Sequence, residues 1–117
     1  MERDPRAFLW DVRQATQRIE TFVQGRDLKD YLADPMLRSA VERQFEIIGE
    51  ARNQLSKASS HIAVRIPDAS RAMAMRNVLI HGYAKVDHEA VWRTLQDNLP
   101  ALRRSVAKLL TELGDVH

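Results

Sequence analysis

Two Asp-Pro steps, Asp4-Pro5 and Asp34-Pro35, limit the possible folds of this chain more than any other feature. In each, a short carboxylate stands where a helix needs a capping oxygen. Proline follows at the first helical position, where its missing N–H costs nothing. Behind the first step, Phe8, Leu9, Val12, Ala15, Ile19, Phe22 and Val23 recur at helical spacing until Gly25 stops the run. Behind the second, Leu37, Val41, Phe45, Ile48, Ala51 and Leu55 recur in the same way. Between the two runs, Leu28, Tyr31 and Leu32 predict a short helix or turn.

The rest of the chain follows the same logic. Small polar residues over 56–60 predict a loop. Pro67-Asp68 opens a third long helix with Ala72, Met73, Val78, Leu79 and Ile80 as its apolar content, weakened near Gly82 and Ala84-Lys85-Val86. Asp87 caps a last helix carrying Val91, Trp92, Leu95 and Leu99. Pro100 should kink or restart that helix before Leu102, Val106, Leu109 and Leu110. No alternating strand pattern of any length occurs. Four long helices with short connections predict an all-α, up-and-down antiparallel four-helix bundle with a short extra helix or turn, in a single domain spanning 1–117.

Composition excludes several function classes. The net charge of +2 is too small for nucleic-acid binding by bulk electrostatics alone. Its make-up says more: 14 arginines against 4 lysines favour bidentate phosphate contacts, or reflect a GC-rich genome. The absence of cysteine rules out a disulfide framework and a thiolate zinc site. No apolar run approaches the ~20 residues of a membrane span, and the first residues lack the layout of a signal peptide. The cytoplasm is the expected compartment.

The stretch Arg76-Asn77-Val78-Leu79-Ile80-His81-Gly82-Tyr83 carries the chemistry. An imidazole moves protons near neutral pH, and a guanidinium binds a phosphate and the charge that develops on it. On one straight helix Arg76 and Tyr83 share a face, but His81 lies ~140° from Arg76. Three arrangements would bring Arg76 and His81 onto one phosphate. The arginine arm wraps round, the helix loosens near Gly82, or a second copy of the chain completes the site.

Three stretches resemble the HEPN superfamily, and within it the HepT toxins. Phe45-Glu46-Ile47-Ile48-Gly49-Glu50-Ala51 resembles the family's Glu-Ile-Ile-Gly-Glu-Ala helix. Arg76-Asn77 with His81-Gly82-Tyr83 resembles its Arg-Asn-x3-His-x-Tyr signature. Val86-Asp87, Val91-Trp92 and Leu99-Pro100 resemble its following helix in order and spacing. The chain departs from the family at Pro67-Asp68-Ala69-Ser70, where members commonly carry a tryptophan. The resemblance implies a dimeric ribonuclease toxin of a type VII-like toxin–antitoxin pair. Its partner would be a nucleotidyltransferase antitoxin of the MntA type. It implies that Arg76 and His81 are catalytic and that Tyr83 accepts adenylyl groups. Neither metal nor cofactor is expected.

RNA supplies its own nucleophile, the 2′-hydroxyl. Such an enzyme must deprotonate it, stabilise the phosphorane and protonate the leaving 5′-oxygen. His81 suits the proton transfers and Arg76 the non-bridging oxygens; a dimer offers one histidine as base and another as acid. Asn77, four residues before His81, either orients the imidazole, contacts phosphate or is simply solvated. Tyr83 either stacks on a base or bonds phosphate through its hydroxyl, or is the regulatory acceptor. Glu46 and Glu50 share a helical face, and Glu50 is expected to support the site by pairing with Arg76 or an arginine across the bundle. His61, His88 and His117 have no partner at ligand spacing. Met73 and Met75 suit the core or a dimer seam, and Arg103-Arg104 a solvated face or an RNA track. The alternative to a nuclease is a non-catalytic helical adaptor that presents substrate to a nucleotidyltransferase, though an adaptor has no need of a proton-transfer group.

Overall fold

In the computed structural model, which describes residues 4–66 and 86–114, the regular structure is entirely helical. Helix α1 spans Pro5–Val23, α2 Leu28–Ala33, α3 Pro35–Ala58, α4 Ser60–Ala63 and α5 His88–Glu112. Three of the four long helices of the expected bundle are therefore α1, α3 and α5. The third, expected from Pro67, lies outside the described residues.

The starts are where the caps put them. Asp4 accepts from the Arg6 N–H at 2.9 Å, and Asp34 from the N–H groups of Met36 and Leu37, both at 3.1 Å. Asp87 caps α5 by accepting from Ala90 at 3.0 Å. The short α2 closes a reciprocal capping box: Asp27 accepts from the Asp30 N–H at 2.8 Å, and Asp30 accepts from the Asp27 N–H at 3.1 Å. Gly25 ends α1 with φ of +76°, a left-handed conformation that any other residue adopts only at a cost.

Two expectations are corrected. The segment 56–60 is not a loop: α3 runs to Ala58, Ser59 alone leaves helical geometry, and α4 begins at Ser60. Leu55 on one side and Ile62 and Ala63 on the other are buried, and this burial outweighs the weak helical preference of the serines. Of the two outcomes expected at Pro100, a kink or a restart, the restart is the one corrected: α5 passes through the proline without interruption. Leu99 and Leu102, 3% and 2% exposed, bury on either side of the proline and hold the helix together. That burial offsets a missing hydrogen bond.

The apolar stripes converge on one core. Leu9, Val12 and Ile19 of α1, Val41, Ile48 and Leu55 of α3, and Val91, Val106 and Leu109 of α5 are almost wholly excluded from water. Each such side chain contributes roughly 1.5–3 kcal/mol relative to an exposed one. Helix α1 packs along α3 and more lightly along α5; α2 touches both α3 and α5. Ion pairs show the helix directions. His88 at the start of α5 meets Glu42 near the start of α3, and Glu112 at the end of α5 meets Arg65 just beyond α4. Helices α3 and α5 thus run the same way. Phe8 and Asp11 near the start of α1 line a groove with the stretch of α3 from Arg43 to Gln54.

Candidate functional site

Of the expected site residues, Glu50 is described. Arg76, Asn77, His81 and Tyr83 lie outside the described residues, as do Met73 and Met75.

Helical periodicity divides the 45–51 stretch between two environments. Phe45, Ile48 and Ala51, all 5% exposed or less, point into the core, and Gly49 is buried with them. Glu46, Ile47 and Glu50 turn the other way. With Phe8 and Asp11 of α1 and Arg43, Ala51 and Gln54 of α3, they line a groove of about 190 Å³. Its floor is apolar and its rim carries charges of both signs. Glu46 faces Arg43 at 3.4 Å, and Glu50 accepts from the Gln54 side chain at 3.0 Å. Glu46 and Glu50 thus share a face as the spacing predicts. Among the described residues no group of three or more histidines, cysteines or carboxylates is arranged to hold a metal ion.

A second polar cluster lies where α2, α3 and the start of α5 meet. The Tyr31 ring is fully buried and rests against Trp92, with ring centroids 5.2 Å apart and planes inclined at 41°. Its hydroxyl is enclosed without a hydrogen-bond partner. Burial, and secondarily the negative charge of Glu42, pushes that hydroxyl well above the ordinary phenol range. Glu42 itself is raised above the usual carboxylate value, chiefly by burial; His88 and Arg38 oppose the shift and Glu46 adds to it. His88 Nδ1 lies 3.3 Å from Glu42 Oε1, close enough for charge attraction, although neither atom has an aligned hydrogen-bond partner. Thr16 shows the contrast: equally buried, it donates to the Arg13 carbonyl at 2.7 Å and leaves no polar atom stranded.

Neither His88 nor Tyr31 stands in a pattern of residue types that marks this cluster in the sequence. Only a faint signal was there to find, the i, i+4 stripe of Arg38, Glu42 and Glu46 on α3. The partner of that stripe comes from 46 positions away. His61 is also engaged locally, its Nδ1 3.1 Å from Ser59 Oγ. Arg103 meets Glu20 of α1 at 3.3 Å, which makes it a tie between α1 and α5.

The helical frame and the buried and outward halves of the 45–51 stretch define a small all-helical domain. Comparison with known families agrees. Residues 12–109 match the family described as Ribonuclease HepT-like, and the chain belongs to that family. It is similar to "Probable ribonuclease HepT" of Thermococcus cleftensis, 34% identical over 109 residues that cover 93% of this chain and 98% of the relative. Two relatives named "Putative RNase" are similar over comparable lengths. That of Caldanaerobacter subterraneus is 32% identical over 92% of this chain and 96% of its own. That of Methanocaldococcus jannaschii is 29% identical over 90% and 95%. No solved structure matches the chain.

Proposed function

We propose that this protein is a metal-independent endoribonuclease toxin of the HEPN type. In this reading it cleaves RNA in a cleft shared by two protomers, and a nucleotidyltransferase antitoxin of the MntA type silences it by adenylylating Tyr83. One observation carries the reading: Arg76-Asn77 and His81-Gly82-Tyr83 stand together inside a family match that runs from 12 to 109. In this scheme His81 takes the proton from the 2′-hydroxyl, and the same residue of a second protomer returns one to the 5′-oxygen. Arg76 holds the non-bridging oxygens as the phosphorane forms. The product is a 2′,3′-cyclic phosphate, and Asn77 and Glu50 support the two catalytic groups.

Burial supports the choice of Tyr83 as acceptor. The chain has two tyrosines, and Tyr31 is fully enclosed between α2, α3 and α5, where no nucleotidyltransferase can reach its hydroxyl. Each adenylyl unit on Tyr83 would add a phosphodiester charge beside His81 and Arg76 and would occupy the arginine in place of substrate.

The test is expression of the protein alone. It should inhibit growth and cleave RNA with EDTA present, leaving cyclic phosphate ends. His81→Ala and Arg76→Ala should each abolish both effects while circular dichroism stays helical. Co-expression with a cognate nucleotidyltransferase should yield inactive protein, heavier by whole adenylyl units on the peptide containing Tyr83. Full toxicity from His81→Ala would overturn the catalytic assignment. Inactivation without added mass would overturn the regulatory one.

A further inference from the structure

We propose that Glu42 and His88 form an exchangeable zinc-binding site at the junction of α2, α3 and α5, backed by the hydroxyl of Tyr31. The ion is held by one carboxylate, one imidazole and water. The site uses none of the residues assigned to RNA cleavage and does not rest on that reading.

Unmet polar groups are the first argument. Among the described residues, Tyr31 Oη, Glu42 Oε1 and His88 Nδ1 are all enclosed without a hydrogen-bond partner, and all three belong to this junction. They are close neighbours: the charge of Glu42 acts on the Tyr31 hydroxyl, and His88 acts on Glu42. A buried polar atom costs stability until something satisfies it. Three from three different helices call for an occupant that a nitrogen lone pair and a carboxylate oxygen can both bind.

Geometry is the second argument. His88 Nδ1 and Glu42 Oε1 stand 3.3 Å apart without being aligned to bond each other. Two ligands of a tetrahedral zinc ion, each at ~2.0–2.1 Å, are separated by about 3.3–3.4 Å. The pair therefore already has the spacing of two zinc ligands. A lone pair and a carboxylate oxygen repel at that distance, and a cation bound to both removes the repulsion. Glu42 lies in the second turn of α3 and His88 is the first residue of α5, so regular helices hold both ligands. The positive end of the α5 dipole opposes a cation. Carboxylates offset it: Glu46 lies one turn along α3 from Glu42, and Asp87 and Glu89 flank His88, against Arg38, which acts on Glu42. The side chains of Glu42 and His88 are 21% and 35% exposed, which gives the ion a way in and leaves positions for water. The Tyr31 oxygen supplies an acceptor for a water on the ion. Two protein ligands are fewer than a structural zinc site uses, so the ion exchanges with solution.

Zinc titration tests the site. Protein stripped with EDTA and dialysed is titrated with zinc chloride near neutral pH in a calorimeter. The wild type should show saturable binding. His88→Gln and Glu42→Gln should each bind at least about tenfold more weakly while circular dichroism stays helical, and the control His61→Gln should match the wild type. A second measurement uses the unaltered chain. The ring signals of His88 in the NMR spectrum, identified by their loss in His88→Gln, should shift on addition of zinc, while those of His61 stay in place. Magnesium chloride should produce neither effect, because that ion prefers oxygen ligands. A wild type that binds no zinc overturns the site. So do zinc binding that survives both substitutions unchanged, zinc shifts at His61 without shifts at His88, and magnesium binding equal to that of zinc. If either variant loses its helical signal, the wild-type NMR titration decides. RNA cleavage enters none of these readouts, so failure of the ribonuclease reading leaves them intact.

Discussion

Tyr31 concentrates the trade-offs made at single residues. Its ring fills the junction of α2, α3 and α5, and its hydroxyl is enclosed with no partner. A stranded buried hydroxyl costs about 1–3 kcal/mol, whereas its removal without change of shape is close to free. Tyr31→Phe should therefore be neutral or stabilising by up to ~1 kcal/mol, read from chemical denaturation near neutral pH. The variant also has a pH signature. The folded hydroxyl is held above the ordinary phenol value near 10, first by burial and then by Glu42, so only the unfolded chain ionises at that point. A group raised on folding contributes stability that is full below the unfolded value and is lost as pH climbs through the folded one. Wild-type stability should therefore fall relative to Tyr31→Phe above about pH 10. A difference that stays constant from neutral to alkaline pH would contradict the burial of the hydroxyl.

Among the elements, α2 and α3 depend on one shared residue. The Asp34 backbone N–H closes the end of α2 on the Tyr31 carbonyl at 3.4 Å. Its side chain opens α3 through Met36 and Leu37 and lies 3.5 Å from Arg26. Two helix ends thus meet in a single carboxylate, at the base of the helix that carries Glu42 and Glu50. Asp34→Ala should cost about 1–2 kcal/mol by thermal or chemical denaturation, while Asp34→Asn, which keeps the capping oxygen, should cost much less. Asp4 also caps a helix, but at the exposed start of α1, where Arg6 is its nearest partner at 2.7 Å. Alanine there should be the milder change. Equal losses at both positions would mean that the double role of Asp34 adds nothing.

At the scale of the whole molecule, a straight helix through Arg76 and His81 would set them ~140° apart, and one copy of the segment would then have difficulty aiming both at one phosphate. In the proposed reading a two-fold assembly would supply the missing group from the second copy. Light scattering should give a dimer at micromolar concentration, and specific ribonuclease activity should fall on dilution through the dissociation range. A monomer that keeps full specific activity at high dilution would remove the need for a composite site. No helix among the described residues is long and apolar enough to cross a membrane.

The sequence by itself determined α1, α3 and α5 and their starting points, because capping and periodicity are local. Asp4, Asp34 and Asp87 act on N–H groups two or three positions away, and a stripe such as Val41, Phe45 and Ile48 needs no knowledge of its partner to declare a buried face. It also determined family and candidate chemistry, since Arg76, His81 and Tyr83 can be read as a pattern of residue types. Tertiary structure decided what depends on contacts between distant positions. Packing of Leu55, Ile62 and Ala63 made helix of the serine-rich 56–60 stretch, and Leu99 with Leu102 carried α5 through Pro100. The fold also enclosed Tyr31 and set His88 against Glu42 at 3.3 Å. A charge's partner and a hydroxyl's access to water are properties of the packed interior, where segments far apart in the chain share one small volume.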